Sequence, residues 1–171
     1  MTAVLVVVQD GRAWVGADSR VTNSGTYRDD AAKVVERHGW VWAIAGASAT
    51  AAWLRTQLRP QRPDEDDEAY LLDVSAAVQT WLKGRDDLCG NENITCAHLV
   101  AARAGRAWVA TGYGVETIGE LYAMGDPTAP AAAFLCTDGA MPVPERIRLA
   151  IEAVARISAY VGGPVTVVEA V

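Results

Sequence analysis

The chain has 171 residues, about half of them apolar and 21% charged, which suits one globular domain and excludes global disorder. The net charge is −6 with no Lys/Arg-rich run, so no nucleic-acid-binding surface is expected. No uninterrupted apolar stretch of about 20 residues is available to span a membrane, and the apolar N-terminal run lacks the basic lead of a secretory signal.

Residues 4–8 form a near-continuous apolar run, the pattern of a strand buried on both faces. Asp10-Gly11 is a two-residue hairpin signal, and residues 13–17 return as a second strand. Asn23-Ser24-Gly25 marks another turn. Residues 33–37 and 40–45 flank His38-Gly39 and read as a second hairpin, so the first 45 residues read as a β-meander. The period then changes. Residues 47–58, free of Gly and Pro, predict a helix with Ser48 as its N-cap. Residues 59–68 carry two prolines and an acidic run, read as a solvated loop leading into the acidic first turn of the next helix. That helix, over 68–83, is apolar on enough sides to lie between layers. A polar loop over 85–93 precedes a hairpin of residues 94–102 and 106–110 around Ala104-Gly105. Short strands near a site are expected over 111–124, then helices over 128–136 and 145–157. Gly162-Gly163-Pro164 breaks the chain before a terminal strand at 165–168. The order is strands, two helices, strands, two helices, strand. Two helix pairs need two sheet faces to cover, which predicts an α+β fold, a four-layer αββα sandwich, with residues 1–171 as a single domain.

Several residues carry chemistry in this pattern. Removal of Met1 leaves Thr2 with a free α-amine, a group whose pKa is ordinarily about 7.7–8.0. Such an amine accepts the hydroxyl proton and makes one residue both nucleophile and base. Asp18 follows a strand and reads on its own as a turn aspartate or a partner of Arg20. Lys33 opens the next strand and reads on its own as a solvated edge lysine. If their strands are neighbours the two pair, and a lysine beside the nucleophile favours its deprotonated hydroxyl. His38 and His98 are not spaced with acids as ligand pairs, so neither metal nor cofactor is expected. Cys89, Cys96 and Cys136 make an odd count without a CxxC, which argues against a disulfide framework and a zinc site. Reduced thiols in a cytoplasmic protein are the expectation. Of the six tryptophans, Trp40 and Trp42 share one strand face, and Trp53 and Trp81 sit on the two central helices. Most read as core, and a helix-borne indole is suited to anchor a subunit interface.

Thr2, the hairpin after it, Gly-Ala-Asp-Ser-Arg-Val-Thr at residues 16–22, Lys33-Val34-Val35 and Ile44-Ala45-Gly46 resemble the proteasome β-subunit family of N-terminal-nucleophile (Ntn) hydrolases. Tyr122-Ala123-Met124-Gly125 and the Ala-rich helix after it look like the family's Gly-Ser-Gly segment. Ala159-Tyr160-Val161-Gly162-Gly163-Pro164-Val165 looks like its Tyr-Ser-Gly-Gly segment. The resemblance spans almost the whole chain, is weaker over 59–93, and is greatest to the bacterial HslV-like and short-homologue branches.

The resemblance implies roles at matching positions. Thr2 is the nucleophile, Asp18 orients Lys33, and Lys33 tunes the threonine hydroxyl. The Gly46 N–H stabilises the oxyanion, a contribution of about 3–4 kcal/mol when one donor is lost. Thr22, Ile44 and Ser48 lie on the substrate side: Thr22 holds the substrate main chain by strand-like bonds, and Ile44 lines the pocket for an apolar or small P1 residue. The implied activity is threonine peptidase action on polypeptides, inside a self-compartmentalising, ring-type homo-oligomer, with an ATPase unfoldase as a partner. A non-catalytic structural subunit of the same fold and an Ntn amidohydrolase for non-peptide amides are the alternatives. Three supporting positions depart from the family pattern. The serine of Gly-Ser-Gly falls at Asp126, with Pro127 after it; a second aspartate falls at Ser158; the serine before Gly-Gly falls at Val161. A carboxylate at Asp126 is expected to stabilise the Thr2 ammonium and weaken it as a base.

Overall fold

The structure, a computed structural model that describes residues 1–23, 26–85, 97–111, 113–137 and 139–171, begins with an antiparallel hairpin. Strand β1 (Ala3–Gln9) pairs with β2 (Arg12–Ala17) across Asp10-Gly11, both with positive φ. A type I′ turn requires positive φ at both central positions, and Asp-Gly supplies it at little steric cost. A short ribbon of β3 (Val21–Asn23) and β4 (Thr26–Arg28) follows. The next hairpin, β5 (Val34–Arg37) and β6 (Trp40–Gly46), turns at His38-Gly39 by the same positive-φ device. Helices α1 (Ala49–Thr56) and α2 (Asp67–Lys83) come next. The second half runs β7 (Ala97–Arg103), β8 (Arg106–Thr111), β9 (Gly114–Ile118) and β10 (Leu121–Gly125). Helix α3 (Ala129–Ala133) with a 3-10 turn at Phe134–Thr137, helix α4 (Val143–Ile157) and strand β11 (Thr166–Ala170) complete it.

Two sheets form, in the orders β10-β1-β2-β11 and β5-β6-β7-β8-β9. Their facing sides bury Val4, Val6 and Val15 against Val41, Ala43, Val100 and Val109. On the outer face of the five-stranded sheet, α1 and α2 bury Leu54, Tyr70, Leu71, Val74, Val78 and Leu82 against Trp40, Trp42 and Trp108. On the outer face of the other, α3 and α4 pack Ala129, Ile147 and Ile151 on Leu5, Val7 and Trp14. This is the αββα sandwich that the two helix pairs predict. It also explains the run at the start of β1: Val4 and Val6 point between the sheets, and Leu5 and Val7 point at α4. The Trp40 ring lies 5.6 Å from those of both Tyr70 and Trp108, so the central tryptophans are core, as expected. Trp53 and Trp81 are partly buried against the same cluster. No helix of the described residues is long and apolar enough to cross a membrane.

Some expectations are corrected. The first 45 residues are not one meander, because the β1–β2 and β5–β6 hairpins belong to different sheets. Both hairpins are sandwiched between apolar layers, so their patterns look alike; a turn signal reports a hairpin, not which sheet it joins. Ser48 precedes α1, but its hydroxyl caps nothing. The Thr50 and Ala51 N–H groups go instead to the carbonyls of Ala47 and Ser48. The acidic run is only partly solvated. Asp66 caps α2 by accepting from the Glu68 and Ala69 N–H groups at 3.0 and 3.2 Å. Glu65 pairs with Arg59 at 2.6 Å and Asp67 with Arg106 at 2.5 Å. The helix expected over 128–136 loses its second half to the 3-10 turn. Of the strands expected over 111–124, β10 runs to the site described below, and β9 is the outer edge of the five-stranded sheet. Residues 86–93 of the polar loop, the first residues of the strand expected from 94, and Cys89 and Cys96 lie outside the described residues.

Candidate active site

Four strand ends meet at one end of the sandwich. Thr2 precedes β1, Asp18 follows β2, Lys33 precedes β5, and Gly46 ends β6. Strands β2 and β5 are not hydrogen-bonded neighbours; they lie in facing sheets. The Lys33 ammonium reaches Asp18 Oδ1 at 2.9 Å, so the pair ties one sheet to the other. Lys33 is not the solvated edge lysine of its isolated reading, since it is 7% exposed, and Asp18, 1% exposed, does more than hold a turn. Arg20 gives Asp18 only its backbone N–H, and its guanidinium pairs with Asp29.

Asp18 accepts two hydrogen bonds on each oxygen. Oδ1 takes the Ala3 N–H and Lys33 Nζ, both at 2.9 Å. Oδ2 takes the N–H groups of Arg20 at 3.1 Å and Gly162 at 3.2 Å. The carboxylate therefore fixes three backbone segments and the lysine together. Burial pushes the Lys33 ammonium below the usual lysine range, with Asp18 pulling the other way. A lysine so placed gives up its proton more readily than a free one.

Thr2 is 5% exposed, and its carbonyl accepts the Asp126 N–H at 2.6 Å. Gly125, at φ +103°, is what lets the β10–α3 turn come this close: a Cβ there would run into the Thr2 carbonyl. Gly125→Ala is expected to displace Thr2, lower stability by about 1–3 kcal/mol, and lower any Thr2-dependent activity with it. Gly119→Ala, whose Cβ would meet nothing within 4 Å, serves as the control. Thermal melting of both variants checks this, and equal melting temperatures would refute it.

A cleft of about 320 Å³ opens beside Thr2, with Thr22, Lys33, Ile44, Gly46 and Ser48 among its lining residues. It also takes in Ala31, Ala32 and Ala51, whose small side chains leave room next to Ile44. Gly46 has φ +118°, a conformation that favours glycine. The catalytic, oxyanion and substrate-side positions expected from the sequence are thus brought together, with Asp18 behind Lys33. Asp126 and Ser158 are not among the residues lining the cleft. They pair with each other, the Ser158 hydroxyl donating to Asp126 Oδ2 at 2.6 Å. Val161 is buried among the apolar side chains of the α3–α4 layer.

Sequence reasoning missed a brace behind the site. Arg20 grips Asp29 through Nε and Nη2, at 2.8 and 2.9 Å, and donates to the Ala159 carbonyl at 3.1 Å. A Cβ on Gly162 would collide with the Arg20 guanidinium, and one on Gly163 (φ +73°) with Ser19 Oγ. The double glycine was the only visible signal of this contact, since nothing in local spacing links Arg20 to Asp29.

No family model matches the sequence, and no curated protein matches it. Solved structures do. The structure is similar to that of Thiobacillus denitrificans BPH, solved alone and in complex with epoxomicin, with TM-score 0.78 and 19% identity. In the epoxomicin complex the match covers 98% of this chain and 97% of that one. It is similar to eukaryotic HslV from Trypanosoma brucei, with TM-score 0.68 and 17% identity over 98% of both chains. It is also similar to a Gly-1 mutant of Anbu from Hyphomicrobium sp. strain MC1, with TM-score 0.66, 14% identity, and 98% and 80% of the two chains covered. Identities this low speak for the fold, and the fold of this chain is that of the proteasome-type Ntn hydrolases.

Proposed function

We propose that the chain is a threonine peptidase of the proteasome type, with Thr2 as nucleophile once Met1 is removed. The observation that supports this best is the shared cleft, in which Thr2, Lys33 and Gly46 line one cavity and Lys33 is held by Asp18 at 2.9 Å. The reaction is acyl transfer. The Thr2 hydroxyl attacks a peptide carbonyl and passes its proton to its own α-amine. Lys33, held by Asp18, favours the developing alkoxide, and the Gly46 N–H receives the oxyanion. The leaving amine takes the proton, and water then cleaves the Thr2 ester. The substrate is a polypeptide whose main chain lies along Thr22 and Ser48. The working form is a ring-type homo-oligomer in the cytoplasm that receives substrate from an ATPase unfoldase.

The test is intact mass before and after incubation with epoxomicin, the compound named in the BPH complex. Loss of one methionine, a gain of one epoxomicin mass, and blocked peptide hydrolysis support the proposal. Retention of Met1 on every molecule favours a structural subunit instead. Turnover of non-peptide amides without peptide cleavage favours an amidohydrolase. Ile44 at the cleft wall, 4% exposed, sets a further expectation. Peptides with an apolar or small P1 residue are cleaved about 10-fold or more faster than those with a basic one, the discrimination an apolar pocket supplies. A fluorogenic panel reads this directly, and the reverse order would overturn it.

A further inference from the structure

Arg146 on α4 is 4% exposed, and among the described residues no aspartate or glutamate pairs with it. A guanidinium carries five N–H donors and a fixed positive charge. Here Nη1 donates to the Cys136 carbonyl and Nη2 to the Gln9 amide oxygen at 2.7 Å, both neutral acceptors, while the buried Nε–H meets no partner. The Cys136 thiol does not supply the missing charge, because burial pushes it up to about 11. A cation withdrawn from water without a counter-charge is costly. The other buried cation, Lys33, has Asp18 at 2.9 Å. Two cavities meet at Arg146 and Gln9. They lie at the far end of β1 from the cleft, since Thr2 precedes that strand and Gln9 ends it. One, of about 390 Å³, has the exposed Glu120 in its wall. The other, of about 410 Å³, is walled by Trp14, Met141, Pro142, Val143 and Pro144, and by Arg12, which is bound to Glu169. Its remaining acid is Asp10, exposed on the β1–β2 turn. Asp10 accepts from the other end of the Gln9 amide at 3.1 Å, so a neutral amide stands between this acid and Arg146.

We propose that the cavity of about 410 Å³ is a binding site for a singly charged carboxylate bearing a small apolar group, with the Arg146 guanidinium as its counter-charge. A guanidinium fork matches the two oxygens of a carboxylate. The Trp14, Met141, Pro142 and Val143 side chains receive the apolar group, and the volume suits a small ligand. Asp10 in the same wall repels a second negative charge. Phosphate, which carries close to two charges at mildly alkaline pH, is therefore the poorer ligand. Once bound, the carboxylate supplies the charge that the fold itself withholds from Arg146, and it stabilises the native state by mass action. The site is independent of Thr2 and of any hydrolysis.

Thermal melting in chloride buffer of constant ionic strength and mildly alkaline pH tests this. Isovalerate is expected to raise the melting temperature with concentration, by about 3 °C or more, while isovaleramide, of the same shape without the charge, leaves it unmoved. A response to isovalerate alone points to a free acid as the source, and one to N-acetylvaline alone points to the carboxyl end of a peptide; either supports the site. Phosphate acting as strongly as the better acid overturns the carboxylate assignment. Arg146→Met, which takes away an unpaired charge, is expected to melt no lower than wild type in chloride and to lose the response. Asp10→Asn keeps an Asn-Gly turn and serves whether or not the Arg146 variant folds. It is expected to lower the acid concentration needed for half the shift by about 2-fold or more. If Asp10 instead serves as the counter-charge through Gln9, Asp10→Asn melts lower and no acid raises the melting temperature of wild type. That result overturns the proposal, as does a response kept by folded Arg146→Met.

Discussion

Thr2→Ala is expected to lower peptide hydrolysis by about 10³-fold or more while leaving the melting temperature nearly unchanged, because a covalent step cannot be shared out among its neighbours. The position is held by the backbone rather than by the hydroxyl. The Thr2 carbonyl is bound by the Asp126 N–H, and the Ala3 N–H is bound by Asp18. Pairing of β1 begins at once, Ala3 opposite Gly125 and Val4 opposite Ala17. Removing the γ-methyl group and the hydroxyl leaves these contacts in place, and the α-amine with them. Thr2→Ser keeps the hydroxyl and is expected to stay within about 100-fold of wild type. Hydrolysis by Thr2→Ala above a tenth of the wild-type rate would place the chemistry on another residue.

The sequence revealed those parts of the site that follow from strand ends. A near-continuous apolar run and Asp10-Gly11 announce the first hairpin, and the positions of Asp18 and Lys33 follow from where one strand stops and another starts. The helix pairs announce two covered faces, hence four layers. What stayed hidden depends on contacts far apart in sequence. The Asp18–Lys33 pair spans two sheets that the periodicity could not tell apart. The Arg20–Asp29 brace depends on how the chain crosses from one sheet to the other. The Asp126–Ser158 bond joins the β10–α3 turn to the end of α4, 32 residues away, and reading each position singly made both look like losses. Ser48 failed as a cap for a local reason. Its backbone is already helical (φ −61°, ψ −25°), whereas a capping residue takes extended angles, as Asp66 does before α2.

Asp18→Ala is expected to cost about 3–5 kcal/mol of stability, because it leaves the buried Lys33 charge without its partner. The same change strips the N–H groups of Ala3, Arg20 and Gly162 of an acceptor, so β1, the β2 end and the 162–163 segment all loosen together. For a domain of this size that corresponds to a fall of roughly 10 °C in melting temperature. Asp18→Asn is no remedy. One of its two terminal groups is an amide donor, and both carboxylate oxygens face donors here, so one face of the side chain must meet N–H with N–H. The informative variant is Asp18→Asn with Lys33→Met. It removes the orphaned charge, and replacing a buried ion pair by neutral groups often restores stability. The double variant is therefore expected to melt above Asp18→Ala yet to hydrolyse no better, since the lysine proposed to favour the Thr2 alkoxide is gone. Melting and hydrolysis moving together across this set would mean that Asp18 and Lys33 act only by holding the sheets. Their separation, with stability regained and activity still lost, assigns the pair to the chemistry as well.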